Sequence, residues 1–148
     1  MKNKSLKPKK MLRWVLGAVL LTIGTMGAFD HFLNGYNPES EGIMLFGDTF
    51  RNLHNAIMMS FLGPMIRILH ILIGLSLFSR YWFAGLLVHL PIAINIFLIH
   101  VVHDLPFANL FFFSMGMFVS ISTFILLFLE KGRLKAIIYA DRVKRYET

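Results

Sequence analysis

Long apolar runs that carry few charges are the feature of this sequence that most constrains its fold. An α-helix rises about 1.5 Å per residue, so about 20 apolar residues cross the hydrocarbon core of a bilayer. Three or four runs approach this length, and they leave no room for a separate soluble domain in 148 residues. The sequence therefore predicts an all-α fold, a polytopic membrane four-helix bundle with an extra amphipathic helix after the first span.

Composition supports this class and excludes several kinds of chemistry. The chain is 56% hydrophobic and 16% charged, whereas about 25% of the residues in an ordinary globular domain are charged. It contains no cysteine, which excludes thiolate metal sites, iron–sulfur clusters and covalently attached haem. Any redox chemistry must therefore use a bound cofactor or a partner.

The chain is predicted to form a single transmembrane domain, 1–148, with spans at about 11–33, 62–79, 81–103 and 107–129. The basic tails are 1–10 and 130–148, and the second is amphipathic, as expected of a helix on a membrane surface. Segment 43–60 is too polar for a span, and interfacial, re-entrant and soluble structures all remain open for it. A basic start followed by an apolar run is also typical of a signal peptide, but the later apolar runs favour a first span.

The distribution of basic residues predicts the orientation of the chain. The formal net charge is +7, and most Lys and Arg residues lie near the two ends. This pattern indicates membrane topology and contact with anionic headgroups rather than nucleic-acid binding. With the N-terminus inside, the inner side receives both basic tails and Arg80, whereas the outer side receives only Arg51 and Arg67. Both termini are therefore predicted to be cytoplasmic.

Polar and ionisable residues lie within the predicted spans, although each costs free energy in a bilayer. Arg67 and His70 are three residues apart in the second span, so they share a helix face. The third span places His89 near the midplane and Asn95 in the outer half. We therefore predict a polar pocket in the outer half of the bundle, without a metal site, formed by His31, Arg67, His70, Asn95 and His100, with Asp30, His89 and His103 as secondary candidates and Asp104 at its mouth.

The alternative interpretation is that these polar groups have no ligand. Residues near the membrane interface are solvated, and a buried Asn or His can form a hydrogen bond to a neighbouring helix. In this case the polar layer fixes the registry of the helices. Small residues also predict close helix packing: Gly17, Gly24 and Gly27 in the first span, and Ser114, Gly116, Ser120, Ser122 and Thr123 in the fourth.

Three segments carry a family resemblance: LGAVLLTIGTMGAFDHF, MIRILHILIGLSLFSRYWFAGLL and PIAINIFLIHVVHD. Their order and spacing, above all the series Pro91, Asn95, Ile96, Phe97 and His100, resemble the small DoxX-type membrane proteins of bacteria, especially the short four-helix members. The resemblance covers most of 11–130. Family members often carry a glutamate where this chain has His70. A role that needs a carboxylate at this position is therefore not expected here.

The resemblance implies a multi-pass protein of the bacterial cytoplasmic (inner) membrane that is associated with redox enzymes. Relatives in that family include a quinone-reducing thiosulfate oxidoreductase subunit and membrane partners of oxidative-stress enzymes. The sequence has no stand-alone catalytic motif. The expected partners are the lipid bilayer, other membrane or redox subunits, and a second copy of the chain.

Three functions follow as hypotheses. In the first, the chain is an accessory or quinone-linked subunit in which His70, Asn95 and His100 bind a quinone and Arg67 holds its anionic form. In the second, it is a structural or assembly subunit of a larger membrane complex. In the third, it binds b-type haem between His70 and either His100 or His31. A transporter would require a homo-oligomer, because four helices are few.

Overall fold

The structure, a computed structural model, describes residues 8–35, 56, 59–102 and 110–146. In these ranges all regular structure is helical, which confirms the predicted all-α class. The helices are α1 (Pro8–Asn34), α2 (Leu62–Phe78), α3 (Trp82–Val102), α4 (Leu110–Leu129) and α5 (Lys131–Tyr146). The predicted spans therefore correspond in position to α1–α4, with ends that differ by at most three residues.

Two of the described helices are long and apolar enough to cross a membrane. These are α1 and the Trp82–Ile99 part of α3. Helix α2 is apolar but has 17 residues, and the last part of α4 qualifies only together with the start of α5, from which a bend of 69° separates it. The described structure thus contains two helices of spanning length, or three if the bent pair counts as one.

Helices α1 to α4 contact one another in a ring. Each helix packs against the next along the chain, and α4 also contacts α1, while the most extensive contact joins α1 and α2. All four helices contribute to one buried core: Leu16, Leu20, Ile73, Leu77, Trp82, Leu86, Val119, Leu126 and Leu127. This arrangement brings side chains of α2, α3 and α4 together inside the ring.

Glycines allow α1 and α2 to approach backbone to backbone. A Cβ on Gly74 would lie 2.9 Å from the carbonyl oxygen of Gly17 and 2.9 Å from the backbone nitrogen of Leu21. A Cβ on Gly24 would lie 2.9 Å from the carbonyl oxygen of Arg67. Real side chains do not tolerate such distances, so this contact requires glycine. The close approach predicted from the glycines of the first span is therefore present.

The helix ends follow from local chemistry. Gly35 takes a left-handed φ of 72° after the last residue of α1, and its N–H donates to the carbonyl of His31 at 3.1 Å, which caps the helix. Between α2 and α3, the Ser79 hydroxyl donates to the carbonyl of Ser76 at 2.8 Å. The connection is as short as the sequence predicts, so α2 and α3 are antiparallel neighbours.

Two predictions about the flanking segments differ in outcome. The basic tail forms helix α5, which turns away from α4 at the 69° bend, and its position on a membrane surface stays a prediction. Of segment 43–60, only 56, 59 and 60 are described. The choice between an interfacial, a re-entrant and a soluble structure lies outside the described residues.

Candidate functional site

Two histidines meet in the interior of the helix ring. His70 of α2 is 6% exposed and His89 of α3 is fully buried. Their ring centroids are 5.9 Å apart, and the ring planes form an angle of 67°. The helical period explains the burial, because His70 shares a stripe with the buried Ile73 and Leu77, and His89 lies three residues after the buried Leu86.

A threonine of α4 holds the second histidine. His89 Nδ1 lies 2.9 Å from the Thr123 hydroxyl, and that hydroxyl donates its hydrogen to the carbonyl of Val119 at 2.8 Å. A hydroxyl has one hydrogen to donate, so the Thr123 oxygen accepts from His89. This assigns the proton of the neutral imidazole to Nδ1, and it leaves Nε2 as a hydrogen-bond acceptor.

Several buried polar atoms around this pair lack hydrogen-bond partners among the described residues. They are both ring nitrogens of His70, Nε2 of His89 and the hydroxyl oxygen of Ser120. Ser120 lies three residues before Thr123, on the same face of α4. A buried polar atom without a partner costs free energy. The site can therefore donate a hydrogen bond to a carbonyl or hydroxyl oxygen of a small ligand, or accept one from its hydroxyl group.

The structure brings together a different set of residues from the predicted pocket. His70 is in the site, and its neighbour is His89, which was a secondary candidate. The Asn95 side chain is exposed and donates to the carbonyl of Pro91 in its own helix at 2.8 Å, so it is not among the residues gathered around His70. The side chain of His100, and all of His103 and Asp104, lie outside the described residues.

The remaining candidates lie along the contact between α1 and α2. The Arg67 side chain covers Gly27, where a Cβ would lie 2.7 Å from Arg67 Cδ and Nε. Asp30 and His31 are half-buried at the end of α1. The Asp30 carboxylate accepts from the Asn34 amide at 2.9 Å, and the His31 ring lies 6.0 Å from that of Phe32. His70 is therefore not paired with His31, one of the two partners suggested for haem ligation.

A second polar cluster, which the sequence interpretation missed, lies where α1 and α3 begin and α4 ends. We define the Trp82 cluster as Lys9, Arg13, Trp82, Glu130 and Arg133. Glu130 is only 6% exposed and forms ion pairs with Lys9 and with Arg133 Nε, the latter at 3.0 Å. Lys9, Arg13 and Arg133 lie 5.3, 5.0 and 5.4 Å from the centre of the Trp82 ring.

A sequence signal for this cluster existed. Trp82 begins the third predicted span at its basic end, and Glu130 is the first charged residue after the fourth. Both positions are where interfacial aromatic and charged anchors are expected. The sequence does not show that these two helix ends lie close to the start of α1.

Comparison with known proteins adds no assignment. No protein-family model matches the chain, and no curated protein or solved structure is significantly similar to it. The resemblance to the DoxX-type proteins therefore stays a prediction from the sequence segments quoted above.

Proposed function

We propose that the chain is a multi-pass protein of the bacterial cytoplasmic membrane, in which α1 to α4 form a four-helix membrane bundle with an added amphipathic helix. Two helices of spanning length and the ring of contacts among α1 to α4 support this proposal. The basic residues at the end where α1 and α3 begin support cytoplasmic termini, since cytoplasmic flanks are enriched in Lys and Arg.

Within that bundle, we propose a DoxX-like accessory subunit of a membrane redox system that is linked to quinone. The observation that carries the proposal is the buried pair of His70 and His89. Ionisable residues inside a membrane bundle are expensive, and they mark ligand and proton pathways. Imidazole is also the side chain whose protonation changes near neutral pH.

The chemistry assigned to the pair is hydrogen bonding and proton transfer. Reduction of a quinone to its quinol consumes electrons and an equal number of protons. The electrons come from a partner subunit in this proposal, because the chain has no thiol and no catalytic motif. His70 donates a hydrogen bond to a quinone oxygen and passes to it the protons that reduction consumes, which His70 regains from solvent. In the quinol, Nε2 of His89 accepts a hydrogen bond from a hydroxyl.

One observation favours a second candidate, a structural or assembly subunit. The hydrogen bond from His89 to Thr123 joins α3 to α4, and such a bond between membrane helices fixes their registry. In this case the pair stabilises the bundle and binds no cofactor. The two candidates differ in whether quinone is present.

The test is native purification in mild detergent, followed by organic extraction, mass spectrometry and an optical spectrum. The redox proposal expects quinone to be extracted with the wild-type protein and lost from His70→Leu. Absence of quinone together with co-purified membrane subunits would favour the assembly role. A Soret band would instead revive the haem hypothesis, and its absence would end it.

A further inference from the structure

The Trp82 cluster and its surroundings form a site separate from the histidine pair. A cavity of about 240 Å³ lies at this end of the structure, and Lys9, Lys10, Arg13 and Trp82 line it. Three of these residues come from the first turns of α1, and Trp82 begins α3. Two helix ends thus frame one basic concave surface.

The charges of the cluster are unbalanced in favour of an anion. Four cations (Lys9, Lys10, Arg13 and Arg133) lie around the cavity and Trp82, and the Glu130 carboxylate pairs with two of them, Lys9 and Arg133. Its negative charge is therefore shared between Lys9 and Arg133. The positive charge of Arg13 and Lys10 is left to face the cavity.

Arg13 is oriented as an anion receptor. Its guanidinium carbon lies 5.0 Å from the centre of the Trp82 ring, which is within the distance of a cation–π contact that holds the group beside the ring. Its Nε is buried and has no hydrogen-bond partner among the described residues. An unpaired Nε–H can donate to a phosphate oxygen, and a planar guanidinium matches phosphate through paired hydrogen bonds.

The neighbouring surface identifies the carrier of this phosphate. Large apolar side chains are exposed beside the cavity-lining residues: Met11, Trp14 and Val15 in α1, and Tyr81 directly before α3. A free phosphate ion gains nothing from contact with an apolar surface, whereas the acyl chains of a lipid pack against one. Trp and Tyr at a basic helix end are also typical of the headgroup level of a bilayer.

We propose that this cavity binds the phosphate headgroup of an anionic phospholipid, with Arg13 and Lys10 as the phosphate-binding residues and Trp82 as the platform that orients Arg13. The acyl chains extend along the exposed apolar side chains of α1. The Glu130 ion pairs keep the ends of α1, α4 and α5 together around the site. The proposal is independent of any quinone at the histidine pair.

The experiment is a lipid titration of the full-length chain, followed by native mass spectrometry. Phosphatidylglycerol is compared with phosphatidylcholine for wild type, Arg13→Gln and Arg80→Gln. Arg80 is a matched control, since it is a cation at the same end that stacks on Tyr81 instead. We expect wild type to prefer phosphatidylglycerol, Arg13→Gln to lower that affinity about tenfold, and Arg80→Gln to change it by less than about twofold.

Three results would overturn the proposal. The first is equal affinity of wild type for the two lipids. The second is the same loss in Arg13→Gln and Arg80→Gln, which indicates general attraction to the basic end. The third is displacement of the lipid by millimolar inorganic phosphate, which indicates a site for the free ion. If Arg13→Gln does not fold, Lys10→Gln replaces it, because Lys10 is exposed, and about a fivefold loss is expected.

Discussion

At the scale of single residues, one hydroxyl determines how the buried histidine pair is protonated. Thr123 gives its hydrogen to the carbonyl of Val119 and so can only accept from His89. The His89 proton is thereby held on Nδ1, and Nε2 is left to face the interior. The direction of any proton transfer at the pair therefore depends on a residue that is not itself titratable.

Replacing Thr123 with valine tests this arrangement. Thr123→Val keeps the shape of the side chain but removes the acceptor, so the Nδ1–H of His89 is left buried without a partner. We expect the free energy of unfolding to fall by about 1–3 kcal/mol, measured by titration from mild detergent into SDS. The control is Thr22→Val, since Thr22 is exposed and bonds to Ala18 of its own helix. Equal effects of the two variants would contradict the assigned bond.

The sequence predicted part of this site and not the rest. His70 and His89 were recognisable as ionisable residues within apolar spans, because that signal is compositional. The contact between the two histidines was not predictable, because a single sequence does not show which faces of two helices meet. Thr123 was interpreted as a small packing residue, since nothing in the sequence distinguishes a hydroxyl that bridges helices from one that bonds its own backbone.

At the scale of helices, the contact between α1 and α2 is the tightest. Gly17, Gly24 and Gly74 bring backbone atoms of the two helices within the distance at which any Cβ would collide. Dispersion attraction between closely packed backbones is what holds membrane helices together when lipid is as apolar as the side chains. This contact fixes the position of α2, and with it that of His70.

An alanine substitution measures the value of this contact. Gly74→Ala places a Cβ 2.9 Å from backbone atoms of Gly17 and Leu21, which cannot move aside as a flexible side chain can. We expect a loss of about 1–3 kcal/mol in the free energy of unfolding. The matched control is Gly132→Ala in α5, where a Cβ would meet nothing within 4 Å.

Because alanine favours helix over glycine, the control is expected to be neutral or to stabilise by up to about 1 kcal/mol. Equal effects of the two alanine variants in the same SDS titration would show that the glycine contact does not determine the packing of α1 on α2.

The positions of the helices were predictable, because they follow from the lengths of the apolar runs and from the charged or turn-forming residues that bound them. The first span was predicted to end at about 33, and Gly35, which directly follows α1, adopts the left-handed conformation. The charge of Glu130 marked the end of the fourth span. The Trp82 cluster was not predictable in the same way, since it depends on three helix ends that are far apart in the sequence.

At the scale of the whole molecule, the ends of the helices define one basic face. The start of α1 meets the end of α2 through Trp14 and Phe78, whose rings are 6.4 Å apart. It meets α3 through Arg13 and Trp82. The charge rule for membrane proteins predicts that this face lies in the cytoplasm.

Cysteine labelling tests this orientation, and the natural chain has no cysteine to interfere. Asn34→Cys and Arg80→Cys place single thiols at exposed positions on opposite ends of the helix ring. In intact spheroplasts, we expect a membrane-impermeant maleimide to label only Asn34→Cys, and to label Arg80→Cys after permeabilisation. Labelling of Arg80→Cys alone in intact spheroplasts would reverse the proposed topology.

The central claim is that the buried histidine pair binds a quinone. The most direct measurement is the dissociation constant of a short-chain quinone for the purified chain, for His70→Leu and His89→Leu, and for the control His54→Leu, which lies outside the four predicted spans. Binding by wild type, a loss of about tenfold in each pair variant and no change in the control would support the claim. No binding by wild type, or one affinity for all four proteins, would contradict it.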